Sequence, residues 1–367
     1  MACSYRFEGW FGLGESAVNG NLVWRAFEPK TWEETDVDIQ VSHCGVCMSD
    51  VHTLQSGWRP TQYPVLVGHE IVGKVVKVGS LVHHVQVGDR VGVGAVSGSC
   101  ANQKGDCEAC ADGQEQHCKH VVDTYDSQWP VDGSTSKGGY ATYWRGMGRW
   151  VVLIPGSLPS DIAAPMLCGG ITAFAPLMKH GAGAGKSVGI IGLGGLGHFA
   201  VMGARALGCN RVTVVSRTST KKADAMQMGA SDFIATAEDS DWAVQHADSL
   251  DIIVSTVSSA SVPLQDYLGM LKYNGKFIQV GAPEGVLPGF NAFDLITKPA
   301  SIWGSNTGSV ADIQRMLNLF GEKNVRSWVS NMPMQDANRA VVDLRAGKAR
   351  YRYVLCTESQ DGDGLAK

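Results

Sequence analysis

The segment Ser187-Val188-Gly189-Ile190-Ile191-Gly192-Leu193-Gly194-Gly195-Leu196-Gly197 leaves the chain few possible folds. An apolar strand that ends in G-x-G-x-x-G and opens a helix near His198 is a phosphate-binding turn. Gly192 makes the tight turn, Gly194 lets backbone approach a pyrophosphate and Gly197 permits close helix packing, with Gly195 and Leu196 completing the loop. The helix N-terminus draws phosphate charge. A glycine-rich turn without a ligand is the alternative, and the flanking strand and helix argue against it. Short apolar runs at Arg211–Val215, Phe233–Ile234, Ile252–Ser255, Lys276–Val280 and Ser301–Trp303 alternate with helical stretches such as His198–Leu207 and Lys221–Met228. This alternation predicts a doubly wound parallel sheet covered by helices on both faces, an α/β class.

Before residue 155 the pattern differs. β-branched runs at Val37–Val41, Glu70–Val78, Arg90–Val96, Tyr140–Tyr143 and Trp150–Leu153, separated by turn residues, predict a β-rich domain. Two helices, Ala311–Leu319 and Gln335–Ala346, then precede a last strand at Tyr351–Cys356. A chain of 367 residues, 44% apolar and 18% charged, suits two domains and excludes disorder, collagen and a long coiled coil. Lys plus Arg total 31 against 35 Asp plus Glu, with no run of like charge, which predicts neither a nucleic-acid nor a membrane partner. The longest apolar stretch, Val188–Gly208, carries His198, Arg205 and seven glycines, a poor membrane span. Neither Met1–Arg6 nor Gly364–Lys367 matches a targeting signal, so a cytoplasmic location is expected, and Gln360–Lys367 is expected to be disordered.

The strand after the glycine turn ends in Ser216-Arg217-Thr218-Ser219-Thr220-Lys221-Lys222, where an NAD-binding protein places an acid on the ribose 2′-hydroxyl. No acid stands there. A hydroxyl, a guanidinium and lysines suit the 2′-phosphate of NADP(H), so Ser216, Arg217 and Lys221 are its candidate ligands; a solvated basic turn is the alternative. Cys100, Cys107, Cys110 and Cys118, spaced C-x6-C-x2-C-x7-C in a polar, glycine-containing loop, predict a closed tetrathiolate zinc site of structural type. His117 and His120 lie beside it as bystanders, since four thiolates fill the shell.

A second set is scattered: Cys44-Gly45-Val46-Cys47-Met48-Ser49-Asp50-Val51-His52, Gly68-His69-Glu70 and Cys168 within Pro165-Met166-Leu167-Cys168-Gly169-Gly170. Singly, each His or Cys reads more readily as a satisfied core residue than as a ligand. Together with Val87-Gly88-Asp89-Arg90-Val91, the four-Cys lobe, the glycine turn and the terminal Ala349-Arg350-Tyr351-Arg352-Tyr353-Val354, the order over nearly the whole chain resembles the zinc-dependent medium-chain alcohol dehydrogenases. Within them it is most similar to the cinnamyl alcohol dehydrogenase branch. The resemblance implies a GroES-like catalytic domain at 1–168 and 307–367 and a Rossmann cofactor domain at 169–306. It further implies two zincs per chain, NADP(H), a small aldehyde or alcohol substrate and a homodimer.

Carried over residue by residue, Cys47, His69 and Cys168 would hold the catalytic zinc with Glu70 adjacent, leaving one position open. Asp50 would hold the far nitrogen of His69, Ser49 and His52 would relay a proton, and Thr172 would pack near the nicotinamide. Cys44 matches no ligand position. The chain departs from the family in four extra residues between Cys100 and Cys107, and in Met48 where His or Arg often meets the cofactor phosphates, which shifts that task to helix amides and Arg350. Asp123 and Asn306 stand where aromatic rings often line the pocket, pointing to a smaller apolar wall or a more polar or even cationic substrate, with Trp58 as an aromatic wall; an Asp123 that simply faces solvent is the alternative. The leading reading is an NADP(H)-preferring alcohol dehydrogenase or aldehyde reductase. A reductase of C=C or C=N bonds and a non-catalytic protein on the same fold are the alternatives.

Overall fold

A computed structural model describes residues 5–357. The tail Gln360–Lys367 and most of the two terminal segments searched for targeting signals lie outside the described residues. The chain divides into two compact units: one takes the residues up to Cys168, Ser309–Gly321 and the chain from Arg326 on, the other Gly169–Gly308 with Glu322–Val325. Re-entry into the first unit falls at Ser309, later than residue 307. There Ser309 Oγ accepts from the Asp312 N–H and Asp312 Oδ2 from the Ser309 N–H, both at 3.2 Å, a reciprocal cap that starts the helix Val310–Glu322.

The second unit is a six-stranded parallel sheet in the order Asp232–Ala235, Arg211–Ser216, Ser187–Ile191, Leu250–Ser255, Leu271–Gln279 and Ser301–Gly304. Numbered along the chain this is 3-2-1-4-5-6, the order that places a crevice at the C-terminal end of the first strand. Strands covered on both faces read as continuous apolar runs, and Val188, Ile190, Val212, Val214, Ile253 and Val254 are all fully buried. The fifth strand begins five residues before its expected start at Lys276. Leu271 already pairs with Leu250, and Asn274 in the left-handed region followed by Gly275 shifts the register before Lys276 meets Ile252. That irregularity hides the first half of the strand from a periodicity reading.

The first unit is built on a seven-stranded sheet running Val329–Pro333, Arg352–Cys356, Asp36–Val46, Ile71–Val78, Arg90–Val93 and Val151–Leu153, with Tyr143–Met147 also paired to Asp36–Val46. The expected strand Tyr140–Tyr143 lies at Tyr143–Met147 instead. Tyr140 leaves the ladder to bond Val67 and Trp10 through its backbone and sends its buried ring inward. Asp36 and Asp38 are buried at the start of the long central strand; Asp36 accepts from Lys30 at 2.5 Å on Oδ2 while its Oδ1 is left without a hydrogen bond, and Asp38 takes two bonds from Arg145 at 2.7 and 2.8 Å. Buried carboxylates require such partners. Among the described residues no single helix is long and apolar enough to cross a membrane.

Candidate active site

The central strand Asp36–Val46 delivers the chain to Cys47, which precedes the short helix Met48–Leu54. Asp50 organises this corner. Its Oδ2 accepts from the Cys47 N–H at 2.9 Å and from the Tyr140 hydroxyl at 2.9 Å, while Oδ1 accepts from the Gly68 N–H at 3.2 Å. Gly68 sits at φ +103°, and a β-carbon there would lie 2.5 Å from the Tyr140 ring, so only glycine turns the chain into His69 at this point. Asp50 makes no hydrogen bond to His69, contrary to the role carried over for it. Two backbone N–H groups and a phenol occupy its carboxylate, and the His69 ring is positioned by stacking on Tyr125, centroids 5.1 Å apart and 13° from parallel.

Cys168, at the end of the 3-10 turn Ala164–Leu167, completes the cluster. One ligand atom from each of Cys47, His69, Glu70 and Cys168 lies within 4.8 Å of the others, and all four residues are buried. The sulfurs of Cys47 and Cys168 are 3.9 Å apart. Two thiolates at a Zn–S distance of 2.3 Å and a tetrahedral angle lie about 3.8 Å apart. His69 Nε2 is buried without a hydrogen-bond partner, an arrangement that costs stability unless a cation takes the lone pair. The residues therefore fit a zinc ion.

Electrostatics agree with this fit. The Cys168 hydrogen bond pulls the Cys47 thiol well below its usual range, against burial. Burial works against charge on His69, yet the Cys47 sulfur and the Asp50 and Glu70 carboxylates together raise it to about 9. Burial pushes Glu70 up to about 7, opposed by Arg352. The Cys47 hydrogen bond and burial push the Cys168 thiol well above its usual range, so without an ion the cluster shares protons among its buried groups, and a divalent cation would take their place.

Glu70, the fourth member of the set, also forms a buried ion pair with Arg352. Sequence reasoning does not name Arg352 as the partner of Glu70; it gives Arg350 a different task, the cofactor phosphates. Arg350 is exposed, its guanidinium 5.8 Å from the Tyr351 ring centroid, and stands ahead of the strand that carries Arg352 inward. The alternation of the terminal Arg-Tyr-Arg-Tyr was the available signal, and only the strand's start decides which arginine is buried. Cys44 is fully buried in the core, as expected.

Ser49 Oγ lies 3.5 Å from the Cys47 sulfur. His52, on the last turn of the same helix, stacks on Trp58 at 4.4 Å and 18°. Trp58 thus lies against a candidate proton carrier. Met48 is exposed. Asp123 accepts from Arg59 at 3.2 Å in a partly exposed ion pair. Thr172 on the helix Gly169–Lys179 and Asn306 in the coil before Ser309 belong to the second unit.

In the four-Cys lobe the sulfurs of Cys100 and Cys110 are 3.7 Å apart, Cys107 and Cys118 3.8 Å, and Cys100 and Cys118 3.4 Å, which again fits one tetrahedral ion. The longer first spacing is absorbed by a tight coil. Ala101 and Asn102 are left-handed, and Asn102 Oδ1 accepts from the Cys107 N–H at 3.0 Å. His117 and His120 are exposed, and the His120 backbone N–H donates to the Cys118 sulfur at 3.3 Å.

In the second unit Gly192 is left-handed at φ +87°, and a β-carbon on Gly197 would lie 2.0 Å from the Gly192 carbonyl oxygen. The space at Gly194 is open, as close approach by a phosphate requires. Leu196 precedes the helix Gly197–Ala206, and the Gly195 carbonyl meets His198 Nδ1 at 3.1 Å. Beyond the second strand a cavity of about 590 Å³ is lined by Ser216, Arg217, Thr218, Thr220, Lys221 and Ala237, with no carboxylate among them. Lys221 Nζ also donates to the Leu193 carbonyl at 2.7 Å, tying this cavity to the glycine turn.

Two family models match the chain, the alcohol dehydrogenase GroES-like domain over residues 33–156 and the zinc-binding dehydrogenase over 195–322. It is 39% identical to NADP-dependent alcohol dehydrogenase 6 of Saccharomyces cerevisiae, over 97% of this chain and 98% of that protein. It is 41% identical to the mannitol dehydrogenase of Petroselinum crispum over 90% and 96%. Among solved structures, a cinnamyl alcohol dehydrogenase of Sorghum bicolor superposes with a TM-score of 0.89 at 35% identity, covering 98% of this chain and all (100%) of that one. The Helicobacter pylori enzyme described as CAD, complexed with NADP(H), gives 0.86 at 33% identity over 96% and 98%.

Proposed function

The chain belongs to the zinc-dependent medium-chain alcohol dehydrogenases, in their cinnamyl alcohol dehydrogenase-like branch, and from that premise we propose that it interconverts an aldehyde and an alcohol with NADP(H) and a zinc held by Cys47, His69 and Cys168. One observation carries this reading: a buried two-thiolate, one-imidazole cluster whose adjacent carboxylate is paired with Arg352, so that three protein ligands leave a fourth position for substrate. Zinc, when bound, supplies Lewis acidity toward the substrate oxygen, and the nicotinamide supplies hydride. The protein's own residues handle the proton. In the oxidative direction Ser49 Oγ, beside Cys47, would accept the proton of the substrate hydroxyl while handing its own to the cofactor ribose hydroxyl, and His52, one helical turn on and partly exposed, would receive the proton from the ribose and pass it to water.

NADP(H) preference rests on the lining of the 590 Å³ cavity, where Ser216, Arg217 and Lys221 suit a phosphate; the neighbouring carboxylate, Glu238, is not among the lining residues and accepts from the Ser219 N–H and hydroxyl. The names of the yeast and Helicobacter relatives point the same way. For the dimer, the edge strand Ser301–Gly304 exposes Ile302 and Trp303, with exposed Phe293 and Ile296 on the preceding helix, an apolar edge suited to pairing with a second copy. The test is kcat/KM for NADPH and NADH with an aldehyde panel in wild type and Arg217→Ala. Loss of a charge-assisted contact raises KM for NADPH about tenfold or more and leaves NADH nearly unchanged. Equal effects on both nucleotides would contradict the phosphate reading. Absence of any aldehyde turnover in zinc-replete enzyme would favour C=C or C=N reduction.

A further inference from the structure

Gly45 occupies the middle of the seven-stranded sheet, its N–H donating to the Glu70 carbonyl at 2.9 Å on one side and its residue paired with Val354 on the other. Glycine weakens a central strand, and its presence there marks a place where another group comes close. Here that group is Glu70. A β-carbon on residue 45 would lie 1.9 Å from Glu70 Oε2, 2.9 Å from its Cβ and 3.0 Å from its Cδ. All three nearest atoms belong to this one side chain, so the space that Gly45 vacates is given over to Glu70. Its carboxylate lies across the bare Cα and meets Arg352, which sits two residues before Val354 on the neighbouring strand. The same carboxylate is within 4.8 Å of the ligand atoms of Cys47, His69 and Cys168.

We propose that Gly45 is a positioning residue: its missing side chain forms the socket that holds the Glu70 carboxylate on Arg352 and off the metal's fourth position. The inference rests on the zinc reading above. With any β-carbon at 45 the carboxylate must leave the socket, and the adjacent thiolate and imidazole cluster, with its cation, is the place within reach that attracts it. The shortest clash falls on the far end of a flexible side chain and is relieved by swinging the carboxylate, while the 2.9 Å approach to the Glu70 Cβ asks for a small shift between the two strands.

The test uses full-length protein with Co(II) in place of zinc, whose visible absorption reports ligation, titrated with imidazole as a probe of the open position. The closed tetrathiolate lobe offers the probe no site. In wild type imidazole shifts the spectrum and saturates. In Gly45→Ala the ligand-free spectrum is already altered and imidazole binds at least tenfold more weakly. Gly45→Ala combined with Glu70→Ala restores tight imidazole binding. A Gly45→Ala protein that binds imidazole like wild type, or a double variant that does not recover, would overturn the inference. Should Gly45→Ala fail to fold, recovery of soluble, metal-loaded protein in the double variant supports it, and failure of both overturns it. Wild type that takes up no second Co(II) would instead overturn the zinc reading itself, and this inference with it.

Discussion

The residues closest to the proposed chemistry divide by how they were found. Cys47, His69 and Cys168 are far apart in the chain, and only their resemblance to a family motif joined them before the fold did. Arg352, Tyr125, Tyr140 and Gly45 were not recognisable, because their roles depend on which strand or loop passes beside the cluster. Asp50 illustrates the converse: the residue was found but its contact was not, since the Gly68 N–H and the Tyr140 hydroxyl reach it only in the folded chain. At this scale the account predicts that Ser49→Ala lowers kcat by about 100-fold or more while zinc content stays at the wild-type value. Steady-state kinetics with metal analysis checks this, and unchanged turnover would remove Ser49 from the proton path.

At the scale of elements, regular strands were recognisable and irregular ones were not. Ser187–Ile191 emerges with its expected bounds, because a short apolar run between a turn and a glycine loop has one reading. The strand Leu271–Gln279 was half seen, since Asn274 and Gly275 break its alternation. The tetrathiolate lobe was legible from cysteine spacing alone, and the coil at Ala101 and Asn102 shows how four extra residues are taken up without separating Cys100 from its partners. Because the lobe's polar loop has little core of its own, its order depends on the metal. Cys107→Ser is therefore expected to lose one zinc per chain and to make the segment from Cys100 to Cys118 the first site of limited proteolysis. A variant that loses zinc yet keeps the lobe resistant would contradict that dependence.

For the molecule as a whole, the two-part plan was readable from the change in periodicity near residue 155, because a β-rich pattern and an alternating β/α pattern bury their apolar residues at different repeats. The detailed bounds were less so: a cap at Ser309 sets the return to the first unit, and side-chain reciprocity of that kind is easily overlooked beside hydrophobic patterning. Assembly belongs to this scale too. If the apolar edge at Ile302 and Trp303 pairs two copies, Trp303→Glu shifts the protein from dimer to monomer in analytical ultracentrifugation, whereas a wild-type monomer would contradict the proposed pairing. The central claim is that the buried cluster of Cys47, His69 and Cys168 is a working zinc site separate from the four-Cys lobe. Zinc per chain, measured together with NADPH-dependent aldehyde reduction in wild type and Cys168→Ser, tests it most directly. The account predicts a fall from about two zincs to about one, with a folded protein and turnover abolished; a Cys168→Ser enzyme that keeps both its metal and its turnover would contradict it.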